Sequence, residues 1–216
     1  MLKLDNICVR STLKNLSLTV NTGEFVLIVG ANGTGKTTLF NTISGTIFPA
    51  KGTIYIDETD ITKMPQHKRS RMVSSVIQDP TVGTIGEMSI LENLSLAHMR
   101  GGKKVLKKDI EYFRERLTIL EMNLENRLEE YVKNLSGGQR QALSLVMATI
   151  TDYDVLLLDE ITAALDPKTS DIVMKIASKI VLQENKTCLL ITHNSRYINS
   201  HTHRILRMID GKLHES

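Results

Sequence analysis

Residues 30–38 combine glycine, lysine and threonine at a spacing that suits phosphate binding. The run reads Gly30-Ala31-Asn32-Gly33-Thr34-Gly35-Lys36-Thr37-Thr38 and matches the pattern G-x-x-x-x-G-K-[ST] between a predicted buried strand and a predicted helix. Glycine lets backbone N–H groups converge on phosphate oxygens, and a helix N-terminus adds the positive end of its dipole. The Lys36 ammonium would reach the β- and γ-phosphates of a nucleotide, and the Thr37 hydroxyl would bind Mg²⁺. The run therefore predicts a site for a nucleoside triphosphate.

Two carboxylates follow a second apolar run, Val155-Leu156-Leu157-Leu158-Asp159-Glu160. The carboxyl end of a buried strand is where α/β folds bind their ligands. Asp159 would hold Mg²⁺ directly or through water, and Glu160 could take a proton from the attacking water. Many strands end in acidic turns, so this pair is informative mainly because it accompanies the phosphate loop at residues 30–38.

A third motif, Leu135-Ser136-Gly137-Gly138-Gln139, precedes a predicted helix, and we call it the signature motif. Ser136 is a favourable N-cap residue, so a purely structural explanation exists for the serine. That explanation covers neither the glycine pair nor Gln139. The signature motif therefore indicates a function narrower than general nucleotide binding.

With these motifs the chain resembles the ATP-binding cassette (ABC) family over essentially its whole length. Three further positions match the family pattern: Gln78 at the end of a strand, the loop at 163–166, and His193 after the last parallel strand. The resemblance implies an ATPase in which two cassettes meet head to tail and hold two ATP molecules between them. The partner would be a second copy of the chain or a homologous cassette, whose Ser136–Gln139 would bind the ATP held by the first.

The same resemblance implies roles for the two isolated polar residues. Gln78 would contact Mg²⁺ or the attacking water, and His193 would contact the γ-phosphate and hold Glu160 in line. ATP and Mg²⁺ are the expected ligands. Glu160, His193 and Gln78 would then be catalytic, with Thr37, Gln78 and Asp159 around the metal.

The chain departs from the family pattern at the adenine site. Family members usually stack an aromatic residue of the N-terminal region on adenine, whereas Cys8-Val9-Arg10-Ser11 occupies that stretch without one. The loss of base stacking would cost about 1–3 kcal/mol if the values for nucleic acids transfer. We therefore expect little discrimination between ATP and GTP.

Hydrophobic periodicity predicts the elements that must position these motifs. Residues 4–9 and 16–20 alternate apolar with polar, as antiparallel strands do, and Phe25–Val29 is continuously apolar, as a strand buried on both faces is. From residue 88 to about 130 apolar residues recur at helical spacing, which predicts a helical insertion between two halves of an α/β core. The other predicted elements are helices at 36–44, 137–150 and 168–183 and strands at 52–56, 72–78, 155–158, 187–192 and 204–209.

Strands that alternate with helices imply a mainly parallel sheet. The predicted fold class is thus α/β: a P-loop NTPase core with a mainly parallel sheet, an N-terminal antiparallel β subdomain and a helical insertion. We expect one ABC ATPase domain over residues 1–216, with a helical subdomain at about 88–150.

The composition limits the class of partner. The 216 residues include 27 Lys+Arg and 24 Asp+Glu, and the net charge of +3 gives no support for a nucleic-acid partner. No uncharged apolar run approaches the roughly 18–20 residues that cross a bilayer. We interpret Cys8 and Cys188 as buried thiols of a protein in a reducing cytosol. A connection to a membrane would therefore come through a partner chain, at the cytoplasmic face of the cell membrane.

Among cassette proteins, the chain best fits the ATP-binding subunit of an importer. We expect neither the long coiled coil of DNA-repair members, nor a second cassette like that of translation factors, nor a fused spanning domain like that common in exporters. Residues 81–96 resemble the importer segment that receives the spanning subunit. We expect transmembrane permease subunits and a solute-binding protein as partners. The expected cargo is a small solute such as an amino acid, with aromatic amino acids as the first candidates. The alternative is a soluble ABC ATPase acting in iron–sulfur cluster assembly.

Overall fold

The computed structural model describes residues 1–100, 102, 104–192 and 204–215. Ten strands and seven α-helices are assigned within these residues. The strands are β1 (Leu2–Val9), β2 (Leu13–Val20), β3 (Phe25–Val29), β4 (Lys51–Ile56), β5 (Thr59–Asp60), β6 (Val73–Val76), β7 (Val155–Asp159), β8 (Thr187–Ile191), β9 (Arg204–Ile209) and β10 (Lys212–Glu215). The helices are α1 (Lys36–Ser44), α2 (Gln66–Arg69), α3 (Pro80–Gly83), α4 (Ile90–Met99), α5 (Lys107–Thr118), α6 (Gly137–Thr149) and α7 (Pro167–Glu184).

The chain forms two compact units. The first, which we call the sheet unit, consists of Met1–Ser75, Tyr153–Glu160 and Ile180–Ser216. The second, the helical unit, consists of Val76–Asp152 and Ile161–Lys179. The helical unit contains the predicted insertion at 88–150 together with α7 as far as Lys179.

The sheet unit contains a four-stranded antiparallel sheet in the order β2-β1-β4-β5. β1 pairs with β2 in a register that sets Leu2 opposite Val20, and β4 pairs on its other edge. Along β1, Leu2, Leu4, Ile7 and Val9 are buried. This alternation confirms the predicted N-terminal antiparallel strands, although both begin two or three residues earlier than the sequence pattern indicated.

The second sheet has six strands in the order β10-β9-β3-β8-β7-β6. β3 lies between β9 and β8, and β7 lies beyond β8, all in parallel pairings, whereas β10 runs antiparallel to β9. β3, β7 and β8 are buried almost throughout, as strands of a sheet covered on both faces are. The predicted mainly parallel sheet is confirmed. Because β9 is also parallel to β3, the prediction that His193 follows the last parallel strand is wrong.

The two cysteines differ in environment. Cys188, in β8, is fully buried, and this burial raises the pKa of its thiol. Cys8 is only half-buried, and its Sγ lies 2.9 Å from Asn15 Oδ1. The prediction of a buried thiol therefore holds for Cys188 and not for Cys8.

In the helical unit, capping residues divide the predicted helical stretch into separate helices. Ser89 caps α4 in a reciprocal pair with Glu92, and α5 begins only at Lys107. The strand predicted at 72–78 ends at Val76, since Asp79 and Pro80 start the short helix α3. Among the described residues, no helix combines the length and apolar character needed to cross a bilayer.

Candidate functional site

The phosphate loop runs from Gly30 to Gly35, between β3 and α1. Gly33 and Gly35 have φ values of 78° and 111°, in the left-handed region that glycine adopts readily. Gly35 is the N-cap of α1 and supplies no side-chain oxygen to the amide groups of the first turn. A Cβ placed on Gly33 would meet no atom within 4 Å. An open space bordered by glycine and a helix N-terminus suits a phosphate group.

Lys36, the first residue of α1, is buried beside this loop. Its side chain is 5% exposed, and Nζ donates hydrogen bonds to the carbonyl oxygens of Gly30 and Ala31 at 2.8 and 2.9 Å. Burial lowers the pKa of the Lys36 ammonium, while the carboxylates of Glu160 and Asp159 oppose that shift. The ammonium is therefore held against the loop, near enough to both acidic residues for their charges to act on it.

The acidic pair lies at the carboxyl end of β7. Asp159 is in register with Ile191 of β8, and Ile191 is in register with Ile28 of β3. Asp159 thus stands level with the end of β3, at the edge of the sheet where the phosphate loop begins. Glu160 has a left-handed backbone with φ of 48°, and its N–H donates to Ile191 O at 2.9 Å. That conformation is uncommon for a residue with a side chain and turns the chain away from the strand.

The turn between β9 and β10 supports the phosphate loop, and sequence reasoning did not identify this role. Gly211 N–H donates to Thr34 O at 3.2 Å, and Lys14 N–H donates to Gly211 O at 3.1 Å. Gly211 has φ of 79°, and a Cβ there would lie 2.1 Å from Thr12 O. The only sequence signal was the Asp210-Gly211 turn itself, which predicts a hairpin but not what the hairpin contacts.

The β1–β2 turn, where the family pattern has an adenine-stacking residue, also packs against the loop. A Cβ on Gly35 would lie 3.2 Å from Thr12 O. Arg10, with φ of 46°, and Ser11 are both exposed in this turn. The turn therefore presents an arginine and a serine, rather than an aromatic ring, beside the first turn of α1.

The signature motif caps the N-terminus of α6 in the helical unit. Ser136 Oγ accepts from Gln139 N–H at 3.3 Å, and Gln139 Oε1 accepts from Ser136 N–H at 3.1 Å. The two residues thus form a capping box. The expectation that a structural explanation would leave Gln139 unexplained is wrong, because Gln139 is the reciprocal half of the cap.

The two glycines of the signature motif differ in what they pack against. A Cβ on Gly138 would lie 2.1 Å from Thr169 Cγ2 at the start of α7, so packing excludes a side chain there. A Cβ on Gly137 would meet only Leu165 Cδ2, at an ordinary contact distance of 3.6 Å. Packing among the described residues thus explains Gly138 but not Gly137. The missing side chain at 137 leaves the N-terminus of α6 open to a ligand.

Gln78 lies in an exposed bend two residues beyond β6. Residues on either side of Gln78 are hydrogen-bonded to side chains of α6. Gln141 Nε2 donates to Ile77 O at 3.4 Å, and Arg140 Nε donates to Thr84 Oγ1 at 2.6 Å. Sequence reasoning missed Arg140, because an arginine that bonds a distant hydroxyl carries no local pattern.

The other residues predicted to take part in the site are His193 and the loop at 163–166. His193 lies outside the described residues. In the loop at 163–166, Asp166 Oδ1 accepts from Thr169 N–H at 3.1 Å, and hydrogen bonding to Thr169 lowers the pKa of Asp166. The sheet unit brings together residues 30–38, Asp159 and Glu160, and the helical unit carries Gln78 and Ser136–Gln139.

Comparison with protein families supports the identification of the motifs. The family model described as ABC transporter matches residues 13–163, which is more than half of the chain. The match includes the phosphate loop, Gln78, the signature motif and the acidic end of β7.

Two curated relatives illustrate the range of similar proteins. The tyrosine transport ATP-binding protein of Clostridioides difficile is 44% identical over 204 residues, which cover 93% of this chain and 81% of that protein. The macrolide export ATP-binding/permease protein MacB of Campylobacter jejuni is 33% identical over 99% of this chain, and the chain spans only 33% of its length.

Among solved structures, the chain is similar to the dimeric post-hydrolysis state of an ATP-binding cassette bound to ADP and Pi. The TM-score is 0.82 at 28% identity, covering 100% of this chain and 97% of that one. The family match, the close relative and the shared fold agree with the motif geometry described above. The chain therefore belongs to the ABC transporter family, as an ATP-binding cassette.

Proposed function

We propose that this cassette binds ATP with Mg²⁺ and hydrolyses the γ-phosphate. The observation that carries the proposal is the grouping of Lys36, Asp159 and Glu160 beside a glycine loop and the N-terminus of α1. Backbone N–H groups of residues 30–38 would bind the phosphates, and Lys36 would neutralise the β- and γ-phosphate charge. Glu160 would accept a proton from the attacking water. Cassettes of this family hydrolyse ATP, and a solved relative holds ADP and Pi.

The oxygen donors beside the phosphate loop suit Mg²⁺. Thr37 is exposed on the first turn of α1, and Asp159 ends β7. Mg²⁺ prefers oxygen ligands and is usually held by one or two protein groups together with substrate phosphates. Thr37, Asp159 and Gln78 are the proposed protein ligands. When bound, the ion would offset negative charge on the transferring phosphate.

We propose that the site is completed by a second copy of the chain or a homologous cassette. Ser136 is exposed at the N-terminus of α6, and Gly137 leaves that helix end open. N–H groups at a helix N-terminus are suited to a γ-phosphate presented by a partner. The dimeric relative with ADP and Pi supports this arrangement. His193 and Gln78 are the further residues proposed to contact the γ-phosphate and the attacking water.

The proposed physiological role is to drive import of a small solute through separate transmembrane permease subunits. The 44% identity to a tyrosine transport ATP-binding protein supports an amino acid, with aromatic ones first, as the cargo. The segment after β6 exposes Ile77, Val82 and Ile85, which are 38%, 72% and 46% accessible. Exposed apolar side chains in one segment suit contact with a partner chain. A solute-binding protein and a peripheral location at the cytoplasmic face of the cell membrane belong to the same proposal.

Affinity purification of the tagged chain from solubilised membranes tests this role. We expect a multi-spanning permease to co-purify, and we expect Val82→Asp to lose the permease while keeping ATP binding. Uptake of labelled tyrosine by cells that contain the intact system, compared with cells that carry Val82→Asp, tests the direction and the cargo. Co-purification of a soluble scaffold without any spanning chain would instead favour a role in iron–sulfur cluster assembly. Efflux in place of uptake would overturn the importer assignment.

A further inference from the structure

The C-terminal end of α6 is capped by side chains from two other helices. The last carbonyl groups of any α-helix have no partner within the helix, and α6 has no basic residue in its own last turn. Arg100, the C-cap of α4, donates through Nη2 to Ala148 O at 3.1 Å. Arg116, on α5, donates through Nη2 to Thr149 O at 3.3 Å and to Thr149 Oγ1 at 3.0 Å.

A third side chain binds the next carbonyl along the chain. Tyr112, one turn before Arg116 on α5, donates its hydroxyl hydrogen to Ile150 O at 3.1 Å. Arg100 Nη2 also contacts Thr151 Oγ1 at 3.2 Å. We call Arg100, Tyr112 and Arg116 the α6 clamp. Its three members bind three successive carbonyl groups at the end of the helix that begins with the signature motif.

Placing two guanidinium groups at this point is electrostatically favourable. The C-terminus of an α-helix carries the negative end of its dipole, which attracts cations. Burial removes part of the hydration of the Arg100 guanidinium and lowers its pKa. Hydrogen bonds from a charged group to carbonyl oxygens offset that loss and are stronger than bonds between neutral groups. The clamp is therefore expected to hold the end of α6 firmly.

Holding the C-terminal end of α6 also contributes to the orientation of its N-terminal end. A helix of 13 residues is about 20 Å long and behaves as a stiff rod. Near its N-terminus Arg140 bonds Thr84 and Gly138 lies against Thr169, and these contacts form a pivot about which the clamped end sets the direction of the helix axis. A displacement of the clamped end would tilt α6 about this pivot and so reorient the exposed Ser136 and the N–H groups of the first turn. In catalysis a displacement of about 1 Å can cost roughly a hundredfold in rate.

We propose that Arg100, Tyr112 and Arg116 are positioning residues for ATP hydrolysis, because they set the tilt of α6 and hence the placement of the signature motif. The inference rests on the proposed function, since it requires that the signature motif bind ATP held by a second copy. It predicts a specific defect: weakening of the clamp impairs formation of the ATP-bound dimer and turnover, but not ATP binding by the phosphate loop.

Two conservative variants test the clamp. Tyr112→Phe removes one hydroxyl, and Arg116→Lys keeps the charge but loses the planar fork of donors. Arg114→Lys is the matched control, because Arg114 also lies on α5 and also donates to a backbone carbonyl, but to that of Glu125 rather than one in α6. Each variant is compared with the parent for ATP affinity, thermal unfolding, turnover and, with Glu160→Gln added, ATP-dependent dimerisation.

We expect Tyr112→Phe and Arg116→Lys to lower turnover and dimer affinity about tenfold or more, a loss comparable to one misplaced group. ATP affinity should stay within about twofold of the parent, as expected when interactions outside the phosphate loop are altered. Arg114→Lys should leave all four properties close to those of the parent. Should Arg116→Lys not fold, Tyr112→Phe decides the question.

The inference is wrong if the clamp variants match Arg114→Lys, or if turnover falls only in proportion to the fraction unfolded. In either case the three residues would merely stabilise the helical unit. A parent protein with neither turnover nor ATP-dependent dimerisation would instead overturn the proposed function. The two failures are therefore distinguishable.

Discussion

Glu160 is the residue at which a change of one atom should have the largest effect. Its left-handed backbone carries the side chain off β7, close enough to Lys36 to influence the lysine charge. Glu160→Gln removes the proton acceptor and keeps the shape. We expect turnover to fall about 10²- to 10⁴-fold, the usual contribution of a general base, with ATP binding retained. Phosphate release measures turnover, and gel filtration with ATP should show a stabilised dimer.

A control for Glu160→Gln is Glu58→Gln, at an exposed turn of the same sheet unit. This variant should hydrolyse ATP at the parental rate. Normal phosphate release by Glu160→Gln would remove Glu160 from its proposed role.

Arg69 is a second residue whose loss should be costly, for a structural reason. Its side chain is fully buried, and its guanidinium donates hydrogen bonds to four backbone carbonyl groups. Two of these carbonyls belong to the last turn of α1, the helix that starts at the phosphate loop. The four hydrogen bonds run from Nε to Met64 O at 2.7 Å, from Nη1 to Thr42 O and Ile43 O at 2.7 and 2.9 Å, and from Nη2 to Thr62 O at 2.7 Å.

Arg69→Met should therefore destabilise the protein. The variant leaves four carbonyl groups without their donor, and each unsatisfied buried group costs about 1–3 kcal/mol before any relaxation. We expect a loss of about 3 kcal/mol or more in the free energy of unfolding, measured with urea. The exposed Arg71 provides the control, since Arg71→Met should change that free energy by less than about 0.5 kcal/mol. A loss below about 1 kcal/mol for Arg69→Met would contradict the inferred role of these bonds.

At the scale of elements, the N-terminus of α6 is where a bulky side chain should block hydrolysis without blocking ATP binding. Ser136→Arg places a large group at the exposed helix end to which the proposed function assigns a partner's γ-phosphate. We expect ATP affinity to be unchanged, because the phosphate loop lies in the other unit, and turnover to fall about 10²-fold or more. Equilibrium binding of a fluorescent ATP analogue and steady-state phosphate release give the two values.

Ser136→Ala distinguishes obstruction of the γ-phosphate from loss of the helix cap. It removes the Oγ that accepts from Gln139 N–H, at a cost of about 1 kcal/mol of stability, but adds no bulk. We expect it to retain much more activity than Ser136→Arg. Equal losses in both variants would indicate that capping alone explains the effect.

The β1–β2 hairpin leads to a prediction about nucleotide choice. Its turn packs against Gly35 and presents Arg10 and Ser11 where the family pattern has an aromatic ring. With little binding energy taken from the base, we expect kcat/KM for ATP and GTP to lie within about tenfold of each other. Arg10→Tyr should tighten the binding of both nucleotides by adding a stacking surface. If GTP hydrolysis were a hundredfold slower than ATP hydrolysis under matched conditions, a group other than this turn would have to recognise the base.

Elements with a strong local pattern were predictable from the sequence. β3 and α1 were predicted with the bounds they have, since a continuous apolar strand, a glycine loop and a helix start follow one another without interruption. The two- and four-residue elements β5, α2 and α3 were missed, because they are too short to show a period. The order β9-β3-β8-β7 was not predicted either, since pairing between distant strands depends on tertiary packing.

Candidate site residues could be proposed from the sequence where they belong to a motif, and not where their hydrogen-bond partners are backbone carbonyl groups. Lys36 and Asp159 could be proposed because the chemistry expected of them requires a fixed local context. Arg69 and Arg116 could not, since a guanidinium that binds carbonyl groups of distant helices leaves no pattern in the sequence. Gln139 was interpreted only as a ligand contact, and its capping bond to Ser136 became visible in three dimensions.

At the scale of the whole molecule, the proposed chemistry needs contributions from two chains. The phosphate loop, Asp159 and Glu160 belong to the sheet unit, whereas the signature motif belongs to the helical unit. If each ATP is held by the sheet unit of one copy and the helical unit of another, the specific activity should rise with protein concentration. A rate per chain that is constant down to concentrations where the protein is strictly monomeric would contradict a shared site.

Mixing two inactive variants tests the shared site most directly. Lys36→Ala damages the phosphate loop and keeps the signature motif, whereas Ser136→Arg does the reverse. A mixed dimer therefore contains one site with both defects and one intact site, and a 1:1 mixture should regain about a quarter of the parental activity if copies associate at random. Lys36→Ala mixed with Glu160→Gln is the control, because both defects lie in the sheet unit and no mixed dimer has an intact site. Recovery in the first mixture and none in the second requires that one chain complete the site of the other, whereas equal behaviour of the two mixtures would contradict a shared site.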